Sequence, residues 1–182
     1  NEWRDVFCQT SLCPCADDMN SNYRKSLQKR YFAIVDANSK LSVLTEMEKA
    51  AVSEQLRDCG QKLPQTGSIQ LPIGRLDGSI IQRQVRFDAG SKQAHTSYEI
   101  VKEKNGLQLL DIQLHTGRTH QIRVHFSHLG FPLIGDDLYG GNHELLTRQA
   151  LHCHHLQFLH PFTDQCIDIE LPLPSDMKKI LS

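Results

Sequence analysis

Residues 29–35, Lys-Arg-Tyr-Phe-Ala-Ile-Val, are rich in aromatic and β-branched side chains after two cations and predict a strand. Tyr31, Ala33 and Val35 fall on one side of an extended segment, Phe32 and Ile34 on the other. The period of two returns in 96–101 and in 107–114, where Leu110, Ile112 and Leu114 share a face. Asn105-Gly106 lies between those runs, and that dipeptide flanked by alternation predicts a hairpin. Ile69, Leu71 and Ile73 alternate again, and Ile167, Ile169 and Leu171 predict a last strand before a short terminal helix. Helical spacing takes over in two places. Thr45-Glu46-Met47-Glu48 has the form of a capping box, and Val52, Leu56 and Cys59 follow at helical intervals before Gly60. This predicts one surface helix of about fifteen residues. From Thr119 to Leu129, at ~100° per residue, Ile122, Phe126 and Leu129 fall in a narrow arc, with His120, Arg123 and Ser127 nearly opposite. Gly130 and Pro132 stop it. Such a helix buries one face and presents cations and imidazoles outward. The expected class is α+β.

Composition narrows the use of that outward face. The 182 residues suit one domain, with residues 1–27 irregular, 28–182 folded, and a helical insertion near 45–60. Twenty basic side chains against 21 acidic ones exclude a surface uniformly coated for non-specific nucleic-acid binding. Basic charge is local. Between Asp111 and Asp136 stand two arginines and four histidines without a carboxylate, and 19–35 carries Arg24, Lys25, Lys29 and Arg30 without one. No apolar run approaches the ~20 residues of a membrane span, and the start lacks the pattern of a signal peptide. Of six cysteines, Cys8, Cys13 and Cys15 cluster while Cys59, Cys153 and Cys166 are scattered, and all are expected to be free thiols of an intracellular, cytoplasmic protein. Zinc on Cys13, Cys15 and nearby histidines lacks the paired ligand spacing such sites use, so no metal is expected.

The longest chemically informative string is Thr116-Gly117-Arg118-Thr119-His120-Gln121-Ile122-Arg123-Val124-His125, followed by Leu129-Gly130-Phe131-Pro132-Leu133-Ile134-Gly135-Asp136-Asp137-Leu138-Tyr139-Gly140. It resembles the signature of the RluA-type pseudouridine synthases. Further segments follow in the family's order. Lys29-Arg30-Tyr31-Phe32-Ala33-Ile34-Val35 is similar to K-x-Y-x-A-x-V, Pro72-Ile73-Gly74-Arg75 to P-I-G-R, and Lys92 to Tyr98 to K-x-A-x-T-x-Y. Leu156 to Pro161 is similar to the family's L-x-F-x-H-P ending. Residues 28–182 thus look like the latter part of the family's catalytic domain. The resemblance implies a mixed, mainly antiparallel sheet with flanking helices. It also implies isomerisation of uridine to pseudouridine in rRNA or tRNA, without a cofactor and with no obligatory protein partner. By the same resemblance Tyr31 would stack on the target base and Arg123 would pair with a nucleophilic aspartate. Arg118 and His120 would touch phosphate or stiffen their loop, with Lys29 and Arg30 as further RNA contacts.

The aspartate is expected in R-L-D-x-x-T-S-G, ahead of the tyrosine segment. Gly74-Arg75-Leu76-Asp77 copies its opening, but Gly78-Ser79-Ile80 does not continue it and it follows Tyr31. Asp77 therefore reads as a turn residue. Asp5, near Thr10-Ser11, echoes the motif at the wrong spacing. Three readings stay open: a fragment of a longer enzyme, a relative with a different nucleophile, or a non-catalytic RNA-binding version. His152 and His160 read as structural.

Overall fold

The computed structural model describes residues 27–58, 61–160 and 162–182. Asp5, Cys13, Cys15, Arg24, Lys25, Cys59, Gly60 and Pro161 lie outside the described residues. The strands are β1 (Gln28–Asp36), β2 (Thr66–Ile69), β3 (Ile73–Arg75), β4 (Arg83–Val85), β5 (Thr96–Lys104), β6 (Leu107–Leu114), β7 (Leu151–Leu159) and β8 (Cys166–Glu170). The helices are α1 (Glu46–Ala50), α2 (Glu54–Asp58), α3 (Gln121–His128) and α4 (Ser175–Ile180). Six strands form one sheet in the order β2-β5-β6-β1-β7-β8, and β3 with β4 forms a separate ribbon. The ladders among them are antiparallel.

Alternation along β1 sorts its side chains to two cores. Tyr31, Ala33 and Val35 join Leu110, Ile112, Ile122, Phe126 and Leu129, so α3 lies on that face of the sheet. Ile34 and Phe32 join Leu107, Leu109 and Met177 on the other face, against α4. Burying both faces under helices gives an α+β domain, and the hydrophobic effect is the dominant drive for that layering. The β5–β6 hairpin turns on Asn105 (φ 54°) and Gly106 (φ 74°). Two successive positive φ values are what a tight two-residue hairpin needs, and Asn-Gly supplies them at least cost.

Between Thr45 and Asp58 the chain departs from the single helix that the spacing predicts. The capping box forms, with the Glu48 N–H donating to Thr45 Oγ1 and the Thr45 N–H to Glu48 Oε2. The helix then breaks at 51–53, because Val52 makes a bridge with Ile69 and the Ser53 N–H donates to the Ser68 carbonyl at 2.9 Å. A sheet edge offering hydrogen bonds and a buried berth for Val52 (6% exposed) outweighs helical propensity in a β-branched residue. No described helix is long and apolar enough to cross a membrane.

Candidate functional site

The polar side of α3 does not face open solvent, as its amphipathic pattern suggests. It faces the turn at 136–139. Arg123 donates from Nε to Asp136 Oδ2 and from Nη2 to Asp136 Oδ1, both at 2.7 Å. The Asp136 side chain is 1% exposed and that of Arg123 12%. The guanidinium also lies 4.9 Å from the centroid of the Tyr139 ring. Ser127 Oγ donates to the Tyr139 carbonyl at 2.8 Å, and His120 Nδ1 lies 2.9 Å from Tyr139 Oη. The Arg83 N–H of β4 donates to that same phenol oxygen at 3.0 Å. Tyr139 thereby ties the β3–β4 ribbon to α3.

Backbone geometry makes this arrangement specific. Asp136 Oδ1 accepts the Tyr139 N–H, closing a short 3-10 turn over Asp137–Tyr139. Gly135 precedes it at φ 73°, and a Cβ there would stand 2.0 Å from the Arg148 carbonyl oxygen. Only glycine lets the chain enter the turn so close to its neighbour. Two of the five guanidinium N–H groups hold Asp136, and the remaining three make no hydrogen bond to a described residue. Arg123 is thus a cation fixed in position by a forked pair, with N–H groups left for a second anion. Burial acts to lower its pKa, but the hydrogen bonds and charge of Asp136 more than offset this and the net displacement is upward. Burial, then the charges of Arg123 and Arg83, push the His120 pKa down, while burial pushes that of Tyr139 up. Around neutral pH both rings are uncharged.

A second polar set bolts the start of α3 to the sheet. Gln121 is 2% exposed. Its side chain donates to the His95 carbonyl and to Thr96 Oγ1, and accepts from Thr116 Oγ1 and the Arg118 N–H. His125 is fully buried, its Nε2 2.9 Å from the Leu71 carbonyl and its Nδ1 2.9 Å from Thr96 Oγ1. A carbonyl can only accept, so Nε2 carries the proton and Nδ1 receives the Thr96 hydroxyl. Burial lowers the His125 pKa to about 4, which keeps this ring neutral.

The other expected site residues lie as follows. Tyr31, 8% exposed, sits in the main core, opposite Ile112 on β6 and Cys153 on β7. Arg123 lies on the flank of α3 that the 136–139 turn covers. Two surface depressions, of about 480 and 560 Å³, lie elsewhere, and neither Tyr31 nor Arg123 lines them. The first borders the exposed β3–β4 turn, where Asp77 is 85% exposed and paired with Arg86. Arg30 forks onto Asp111 at 3.1 and 2.7 Å, Lys29 is half-buried beside it, and Arg118 is exposed with Nε donating to the Gln93 carbonyl. His152 is half-buried, with its pKa lowered first by burial and then by His154. No group of three or more metal-ligating side chains occurs among the described residues.

Sequence reasoning misses Asp136 as the partner of Arg123. One signal points to it: Asp136 is the first carboxylate after the acid-free run in which Arg123 stands.

Comparison with known proteins agrees with this architecture. The family model described as RNA pseudouridylate synthase matches residues 14–128. The uncharacterized RNA pseudouridine synthase YjbO of Bacillus subtilis is 44% identical over 122 residues, covering 67% of this chain and 42% of that protein. Ribosomal large subunit pseudouridine synthase D of Zymomonas mobilis is 32% identical over 162 residues, covering 84% of this chain and 44% of its own length. Among solved structures, Human RNA Pseudouridylate Synthase Domain Containing 1 shares the fold with a TM-score of 0.58 at 21% identity, over 87% of this chain and 57% of that one. The chain therefore spans less than half the length of these two curated relatives. The extent of the family match and the identity to these relatives place the chain in the RluA-type RNA pseudouridylate synthase family.

Proposed function

We propose that this chain forms the later part of a catalytic domain that converts uridine to pseudouridine in rRNA or tRNA, in the cytoplasm. The observation that carries the reading is Arg123, locked by a buried carboxylate with N–H groups to spare, on a helix bolted to the sheet. In the reaction uracil leaves C1′ of its ribose, turns, and rejoins through C5, with the C5 hydrogen lost to water. The base must first leave its stack. The carboxylate that attacks or removes a proton would come from the R-L-D segment that precedes the tyrosine segment in the family. Arg123 would keep that carboxylate ionised and aimed, using the N–H groups that Asp136 leaves open. Tyr31 would meet the uracil ring, and Arg118, His120, Lys29 and Arg30 would contact the RNA backbone.

Tritium release from RNA carrying 5-labelled uridine tests this. A polypeptide holding this chain and the R-L-D segment should release tritium, and Arg123→Lys, which keeps charge but loses the fork, should slow release about a hundredfold. Undiminished release by a folded Arg123→Lys protein refutes the role of Arg123. A second reading, RNA binding without catalysis, is favoured by the occupation of the Arg123 fork by Asp136 of the same chain. It predicts salt-sensitive RNA binding with no tritium release.

A further inference from the structure

At the end of the hairpin from which α3 departs, two imidazoles stack. His95 immediately precedes β5 and His115 immediately follows β6, flanking the rung where Thr96 pairs with Leu114. Their ring centroids are 4.0 Å apart with planes inclined by 20°. Each ring is pinned at its edge, His95 Nε2 to Ser68 Oγ and His115 Nε2 to Ser97 Oγ, both at 2.9 Å. The backbone is pinned too. The His115 N–H donates to the His95 carbonyl, the His95 N–H to Thr116 Oγ1, and Gln121 Nε2 to that same His95 carbonyl. His95 is half-buried and His115 exposed, so the column has an outer member turned to solvent.

We propose that the outer ring of the His95–His115 stack is a platform for an unpaired nucleobase of the RNA, flanking the nucleotide that reacts. The reading rests on the function proposed above but concerns two imidazoles that function does not use. Three features support it. The rings are held on strands by hydrogen bonds, so little side-chain freedom is lost when a base settles on them. Burial and the neighbouring His115 both lower the His95 pKa, which favours an uncharged inner ring. The surroundings suit a phosphate chain. Arg118 is exposed three residues after His115, Lys92 is exposed before His95, and the Arg30–Gln113 pairing brings the basic start of β1 beside the end of β6. The Arg30 charge is shared with Asp111, which leaves Arg118 and Lys92 as the principal phosphate contacts. Single-stranded RNA is commonly held by bases stacked on aromatic rings, histidine included, next to cations that follow the backbone.

The test is fluorescence anisotropy of this chain with a short labelled oligouridylate, over a series of salt concentrations. His115→Ala should weaken binding about tenfold while leaving the slope of log affinity against log salt unchanged, because a stacked base is lost and no phosphate contact. His115→Phe should restore most of the affinity. Arg118→Ala should instead reduce the slope by about one. An abasic ribose-phosphate oligomer of the same length should bind wild type and His115→Ala alike. Wild-type binding with His115→Ala within about twofold, or an equal loss for the abasic oligomer, overturns the platform and leaves the proposed function standing. Absence of RNA binding by the wild-type chain also overturns the platform, while tritium release by the polypeptide that includes the R-L-D segment decides the proposed function separately.

Discussion

Removing Arg123 isolates one of the most buried carboxylates among the described residues. In Arg123→Ala, Asp136 keeps the Tyr139 N–H at 3.2 Å but loses two charge-assisted bonds of 2.7 Å, with its side chain only 1% exposed. Breaking a buried pair from one side costs about 3–5 kcal/mol, because the remaining charge is left buried without a counter-ion. Against a domain stability of about 5–15 kcal/mol this is a large fraction. With a urea m-value of roughly 2 kcal/mol/M, the unfolding midpoint should fall by about 2 M. The opposite truncation should cost less, about 1–2 kcal/mol for Asp136→Asn, because the 12% exposed guanidinium can recruit water. The double variant Arg123→Met with Asp136→Leu should recover most of the loss, since apolar isosteres leave no charge stranded. Urea unfolding of the four proteins followed by circular dichroism decides the matter. A midpoint shift below about 0.5 M for Arg123→Ala, or a double variant no more stable than Arg123→Ala, refutes the argument.

Three further outcomes are expected. The folded pKa of His125, about 4, lies below its ordinary 6.5, so the unfolded chain takes up the proton first. Stability from this group is complete above pH 6.5 and falls as pH drops toward 4, by roughly 3 kcal/mol in all; urea midpoints across that range should show the slope, and His125→Gln should flatten it. Gly135→Ala should lower the melting temperature by several degrees or prevent folding, since its Cβ would meet the Arg148 carbonyl oxygen at 2.0 Å at a φ of 73°. Thr45→Ala removes the side-chain arm of the capping box and should cost about 1 kcal/mol, seen as a small drop in melting temperature with RNA binding unchanged.

Local chemistry is legible wherever the chain interacts with its own near neighbours. Asn105-Gly106 marks the hairpin, Thr45 and Glu48 the helix start, and the alternation of 31–35 the two faces of β1. Periodicity tells which side chains share a face, but not whether that face is wet. The flank carrying His120, Arg123 and Ser127 reads as exposed because the turn covering it lies beyond the helix stop. Helical spacing does separate His125 from the basic side, since four residues before Leu129 it lies within ~40° of that apolar position. Val52 misleads for another reason: its bridge partner Ile69 is distant in sequence, and a pairing made across the fold overrides helical spacing.

The order of the sheet has a consequence for how the chain is made. β1 lies between β6 and β7, so the first described strand to leave the ribosome has no partner until residues 107–114 are synthesised, and its second edge stays open until 151–159 follow. The β5–β6 hairpin can close while β1 waits, because its two strands are joined by a two-residue turn. Ribosome-bound intermediates halted before β7 would therefore expose the backbone of an apolar strand, the species on which chaperones and misassembly compete.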